Sequence, residues 1–165
     1  MPTQLPSRES SLPIRKPRLA ITVGDVAGVG PELSLVCAAD QQVLQHCHPI
    51  LIGPANVLGE VASIRGLPLP EELALSDLSL PERHQGARLV DCGAVDLRSL
   101  VPGQFSRQTG LASFQAVQLA IDRTLAGEFD AIVTGPIQKE AWHAADTGYL
   151  GHTELLADQT GTTDF

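Results

Sequence analysis

The sequence predicts an α/β domain with a mostly parallel sheet and helices on both of its faces. Three observations carry this. Short apolar runs rich in β-branched residues recur at 19–23, 49–53 and 130–134, as in strands buried on both faces. Between them lie segments with helical periodicity and ordinary crossover length. The first and last of these runs each end in a glycine turn, Val23-Gly24-Asp25 and Thr134-Gly135-Pro136. In open parallel sheets ligands bind beyond the carboxyl ends of the strands, so the two turns are expected to face one cleft.

The elements follow in order. Residues 1–17, with Pro2, Pro6 and Pro13 and no periodicity, read as a flexible tail. Residues 18–23 are the first strand. Pro31 opens a helix expected to run to Cys47, with Leu33, Val36, Cys37, Val43 and Leu44 at helical spacings. Residues 49–53 form the second strand. Pro54 begins a helix with Val57, Leu58, Val61 and Ile64 on one face, ending near Gly66. Residues 67–81 are irregular, with room for an edge strand, and residues 87–92 are a further strand. After a loop over 102–110, Phe114, Val117, Ile121 and Leu125 mark a helix over 111–126 closed by Gly127. Residues 130–136 read as a buried strand and turn, 137–145 as a helix, and 155–158 as the start of another.

Composition bounds the function. The 165 residues suffice for one domain with a real core. A net charge of −8 with no basic stripe argues against a nucleic-acid or anionic-membrane partner. A small anionic substrate stays compatible, because local fields in a cleft outweigh the total. Cys37, Cys47 and Cys92 are odd in number and contain no C-x-x-C pair, so reduced thiols in a cytoplasmic protein are expected. No apolar run approaches the length of a membrane span, and the N-terminus lacks the apolar centre of a signal peptide.

The candidate chemistry sits at the strand ends. Gly24, Gly28 and Gly30 spell neither G-x-G-x-x-G nor a P-loop. The loop reads either as a tight βα turn capped locally by Asp25 or as bare backbone near a ligand. There Asp25 would suit a hydroxyl, an ammonium or a metal-linked water. Thr134 and Lys139 follow the last strand. His143, four residues after Lys139, reads as a surface histidine. His46-Cys47-His48 resembles a metal cluster only faintly, and a surface turn explains it better. Gly151-His152-Thr153-Glu154 stands at a loop-to-helix junction. Thr153 could cap that helix, leaving N–H groups for an anion, and His152 could exchange a hydrogen bond with a substrate oxygen near neutral pH. An idle histidine beside a capping residue is the alternative.

Taken together, these pieces resemble a known family, the 4-hydroxythreonine-4-phosphate dehydrogenases. Ile21-Thr22-Val23-Gly24-Asp25-Val26-Ala27-Gly28-Val29-Gly30-Pro31-Glu32 resembles their opening I-T-x-G-D-P-A-G-I-G-P-E. Ala131-Ile132-Val133-Thr134-Gly135-Pro136-Ile137-Gln138-Lys139 looks like their second motif, and Gly151-His152-Thr153-Glu154 matches their G-H-T-E. The resemblance spans residues 18–165. It implies a fold similar to isocitrate and isopropylmalate dehydrogenases, in two lobes, with the second lobe truncated here. It also implies an enzyme of vitamin B6 (pyridoxal phosphate) synthesis. That enzyme uses NAD or NADP and a divalent metal (Zn, Mg or Co), and works as a cytoplasmic homodimer. The expected reaction oxidises the 3-hydroxyl of 4-phosphooxy-L-threonine. The β-keto acid then loses CO₂ to give 3-amino-2-oxopropyl phosphate. The metal would polarise the reacting oxygen and the nicotinamide would take the hydride. His152 and Thr153 match the family's substrate-contacting pair. Asp25, Thr134 and Lys139 are expected to line the cleft.

Two departures stand out. Val26 replaces the motif proline, which frees a backbone torsion and restores an N–H. The family's three metal-binding histidines, and the Lys, Asn and Arg that complete its substrate site, lie beyond residue 165. None of the five histidines here stands in for them, so no metal ligand is expected within this chain, and the chain alone is expected to be inactive. Two alternatives remain. One is a related dehydrogenase for another four-carbon acid phosphate, such as threonate or erythronate phosphate. The other is a truncated, non-catalytic binding or vestigial protein.

Overall fold

The computed structural model describes residues 15–80 and 86–163. Its centre is a five-stranded sheet, β1 (Arg18–Thr22), β2 (His48–Gly53), β3 (Glu71–Glu72), β4 (Arg88–Asp91) and β5 (Ala131–Thr134). The spatial order is β3-β4-β2-β1-β5, and every neighbouring pair is parallel. The chain steps outward from β1 to β2 and β4, then returns through a long helix to the other side of β1. The strand order therefore reverses at the β1–β5 boundary, where both glycine turns lie.

Helices cover both faces, as the sequence predicts. Ile21, Leu51 and Leu89 point to one side, where they pack with Val57, Leu58 and Ala62 of α3 (Ala55–Arg65) and Leu35 and Ala38 of α1 (Gly30–Ala39). Ala20, Ile50, Ile52 and Val90 point to the other, against Ala116 and Ala120 of the long helix. That alternation is the two-residue period of a strand buried on both sides. A third cluster, Val117, Ile121, Trp142 and Leu155, joins the long helix to the last two helices.

Several elements differ from expectation. The helix expected over 31–47 is two helices, α1 and α2 (Gln41–His46). They break at Asp40, whose extended backbone and side chain cap α2 by accepting from the N–H groups of Gln42 and Val43. The buried face of α1 is Pro31, Ser34, Leu35 and Ala38, while Leu33 and Val36 face out. This helix is apolar almost all round, so its periodicity could not choose a face. In α3, Ile64 is exposed rather than on the buried stripe. The long helix, α4 (Arg107–Leu125), begins four residues before the expected start. Ser106 and Thr109 form a reciprocal capping box there, with threonine in place of the usual Glu or Gln. Leu125, expected on its apolar stripe, is exposed.

The largest departure is β5. Its sequence reads as a buried strand, yet Ala131, Val133 and Thr134 are exposed and Ile132 is half-buried. β5 is an edge that pairs with β1 alone among the described residues. Of the expected tail, residues 1–14 lie outside the described residues. Residues 15–17 are tied down: Lys16 Nζ donates to the Leu44 carbonyl, and the Pro17 carbonyl accepts from the His48 N–H. Arg15 meets Asp130 with both terminal nitrogens, at 2.9 and 2.6 Å. No described helix is long and apolar enough to cross a membrane.

Candidate functional site

The two glycine turns meet, as their place in the topology requires. The Asp25 N–H donates to the Pro136 carbonyl at 2.9 Å, and the Gly135 N–H donates to the Thr22 carbonyl at 2.8 Å. Gly24 has φ +73°, and a Cβ there would strike the carbonyl of Pro136. The glycines serve close backbone contact between the turns. The Asp25 carboxylate turns inward to its own loop, where Oδ1 accepts from the Ala27 N–H at 3.1 Å. This is the local-capping alternative for Asp25. The loop is further held by the Gly103 N–H on the Ala27 carbonyl at 2.7 Å. Val26, in place of the motif proline, is buried with Val23, Leu35 and Val95. The extra backbone freedom is thus offset by an anchored side chain.

Thr134 ends β5 and is exposed. From there the chain passes through Ile137 into α5 (Lys139–Ala144), with Lys139 as its first residue. Helix α6 (His152–Thr160) begins directly at His152, with Gly151 as its N-cap. Thr153 therefore lies inside the first turn and does not cap the helix. No side chain caps α6, so its first N–H groups lack the partners that an interior turn would give them. Lys139 is brought to this helix start. A Cβ placed on Gly151 would lie 3.5 Å from Lys139 Cε, 3.7 Å from Glu154 Oε2 and 4.0 Å from Ile137 Cδ1. The structure thus gathers Lys139, His152, Thr153 and Glu154 at one junction. His143 is exposed.

His152 is half-buried. Its Nε2 is shielded from solvent and has no hydrogen-bond partner among the described residues. Burial pushes its pKa below the ordinary histidine value, because a low-dielectric site disfavours the imidazolium. Sequence reasoning missed what lies beside it. The fully buried Trp142, the chain's only tryptophan, meets the imidazole edge-on, with ring centroids 5.6 Å apart at 76°. The Trp142 indole donates to Ser113 Oγ at 2.8 Å, and that hydroxyl donates to the Gly110 carbonyl at 3.0 Å. A helical periodicity search files both residues as core. Only a polar atom at a buried position, Ser113 in the middle of α4, signals more.

A groove of about 350 Å³ lies beside the first glycine loop, between Val26 and Gly28, helix α3 and residues Leu97, Leu100 and Pro102. Its rim carries Glu60 and Glu32, and Glu32 is already paired with Arg65 at 3.0 Å. The walls suit an apolar group, and the rim offers a pyrophosphate no free cation. Among the described residues no three His, Cys, Asp or Glu side chains gather to hold a metal. His46 Nδ1 is engaged with the Gln42 carbonyl and Cys47 Sγ with the Val43 carbonyl. Cys92 is a half-buried thiol, its pKa pushed up to about 12 by burial and by Asp91, which leaves it inert.

Comparison with known proteins follows the same outline. A 4-hydroxythreonine-4-phosphate dehydrogenase of Burkholderia phymatum superposes with a TM-score of 0.80 at 36% identity, covering 91% of this chain and 45% of that one. The enzyme of the same name from Klebsiella pneumoniae gives 0.77 at 32%, covering 90% and 45%. A protein of Symbiobacterium thermophilum, described provisionally as a D-threonate 4-phosphate dehydrogenase, is 35% identical over 153 residues, 90% of this chain and 44% of its own. The chain spans about half the length of the relatives it matches. Residues 45–165 match the family model "Pyridoxal phosphate biosynthetic protein PdxA", and with the shared fold, the joined glycine turns and the G-H-T-E helix start, the chain belongs to the PdxA family of dehydrogenases.

Proposed function

We propose that these residues form one lobe of a nicotinamide-dependent dehydrogenase for a phosphorylated four-carbon 3-hydroxy acid. The observation that carries this reading is the junction at α6. Lys139 supplies a cation. The uncapped helix start supplies N–H groups and a positive dipole end for a phosphate or carboxylate. His152 holds a neutral imidazole whose Nε2 lacks a partner among the described residues, which suits a substrate hydroxyl. Thr153, exposed in the same turn, adds a hydroxyl. The nicotinamide, when bound, accepts the hydride. The groove beside the first glycine loop is apolar and lacks a pyrophosphate cradle, and no three metal-ligating side chains gather among the described residues. No step is therefore assigned to either group from this chain. Asp25 supports the loop, with its Oδ1 engaged by the Ala27 N–H.

The preferred substrate is 4-phosphooxy-L-threonine, in keeping with the motifs. The Symbiobacterium relative favours D-threonate 4-phosphate as a second reading. The two differ at C2, ammonium against hydroxyl. The test is nicotinamide reduction by the full-length protein carrying these residues, assayed with each phosphate and a divalent metal. Turnover of one or both is expected. His152→Ala should lower kcat/KM by about 10–100-fold, as for loss of a hydrogen bond to a reacting group, and Lys139→Ala should raise KM. No turnover of either phosphate, or a His152→Ala variant as active as the parent, would overturn the reading.

A further inference from the structure

We infer that Trp142, held by Ser113, is a positioning residue that fixes the ring of His152 at the start of α6. The inference rests on the proposed role of His152 and extends it to residues outside the three motifs.

The argument starts in α4. Gly110 and Ser113 are small residues one turn apart on the face that meets α5, and a Cβ on Gly110 would strike the Ala141 carbonyl. The helices therefore pack at near-backbone contact, which brings the Trp142 indole N–H to Ser113 Oγ at 2.8 Å. The Ser113 hydroxyl in turn donates to the Gly110 carbonyl at 3.0 Å. Both groups of this relay are buried, and Ser113 and Trp142 are 0% exposed. A buried indole N–H needs an acceptor, and here that acceptor also sets the ring plane. Phe114 closes the other side, edge-on at 5.4 Å and 86°. A tryptophan fixed in this way also meets the His152 ring edge-on.

The consequence for His152 is twofold. The indole shields the imidazole from water, and it leaves that side of the ring without a hydrogen-bonding atom, since its one polar hydrogen is committed to Ser113. The charged groups at the junction are Lys139 on α5 and Glu154 on α6. The apposed face of α4 presents Gly110, Ser113, Phe114 and Val117, none of which titrates. Shielding, rather than a neighbouring charge, is thus the cause of the depressed histidine pKa.

The test is an NMR titration of histidine-labelled protein, with His152 assigned through a His152→Gln variant. It compares the parent with Ser113→Ala and Trp142→Phe. In the parent, His152 should titrate below the ordinary value of about 6.5. In each variant its midpoint should move up toward that value and its ring resonances should shift as the ring-current contact changes. The ring resonances of the exposed His46 on α2, remote in the fold from α4 and α5, should not shift. If both variants lose stability but leave His152's midpoint and ring shifts at parental values, Trp142 is a core residue only and the inference fails. Should Trp142→Phe not fold, Ser113→Ala decides alone, since it removes one oxygen from a helix interior. Inorganic phosphate added to the parent tests the reading of the site separately. A failure of the His152 ring resonances to respond to phosphate would count against the anion site and leave the positioning result standing.

Discussion

Gly24 shows how a single residue ties the two halves of the site together. Its φ of +73° is a left-handed conformation, and the space a Cβ would need is taken by Pro136 and Gly135 backbone. Gly24→Ala therefore carries two costs. The left-handed conformation costs about 1–2 kcal/mol for any L side chain. The clash must also separate the turns and break the 2.9 Å bond from the Asp25 N–H to the Pro136 carbonyl. A loss of about 2–4 kcal/mol in urea unfolding is expected. Gly127→Ala is the control: its φ is +78°, but nothing lies within 4 Å of the added Cβ, so only the conformational cost of about 1–2 kcal/mol should appear. Equal losses at the two positions would mean that the contact between the turns contributes nothing.

Among the elements, the N-terminal entry to β1 and the entry to β5 are held by one carboxylate. Asp130 accepts from both terminal nitrogens of Arg15, from the Arg18 N–H at 2.7 Å and from Arg18 Nε at 3.4 Å. Burial pushes its carboxyl up. The hydrogen bonds from Arg15 and Arg18 outweigh that and hold it well below the usual carboxylate range. A depressed folded pKa gives stability that is complete above the unfolded value, about 3.9, and is lost as pH falls through the folded one. Asp130→Asn should thus cost about 1–3 kcal/mol at neutral pH, and the gap from the parent should close in thermal melts taken progressively below pH 4. A gap that is independent of pH would exclude the ionic origin. None of this was visible in the sequence, where Arg15 fell within an expected tail and Asp130 was only the start of a strand. What the sequence did carry was set by strong local chemistry: the strand cores, the left-handed Gly66 cap of α3 and the glycine turns. Faces were harder to read where helices are apolar all round, as in α1. Helix starts were missed where the cap used an unusual partner, as at Ser106 and Thr109. His152 and Thr153 could be singled out because they sit in a motif. Trp142 and Ser113 were not, because their link is a contact across 29 residues of sequence.

At the scale of the whole molecule, the sheet has one side finished and one side open. At the far edge β3 is two residues long with two glutamates, a short, charged edge that resists further pairing. β5 is the reverse: uncharged, β-branched, with Val133 46% exposed, and it carries the composition of a strand meant to be covered. A parallel sheet with an apolar edge is a template for another strand. The 165-residue chain on its own is therefore expected to self-associate through β5, with an apparent mass that rises with concentration in sedimentation or light scattering. Val133→Lys places a charge on that edge and should return the chain toward a monomer without loss of fold, because the side chain is already half in water. Leu125→Lys is the matched control. Leu125 is 61% exposed at the end of α4, on a helix rather than in a strand, so it should leave association unchanged. If both variants suppress association equally, general apolar exposure drives it. If Val133→Lys alone acts, the driving force is the unfinished edge of the sheet, beside the turn that carries Thr134 and leads to Lys139.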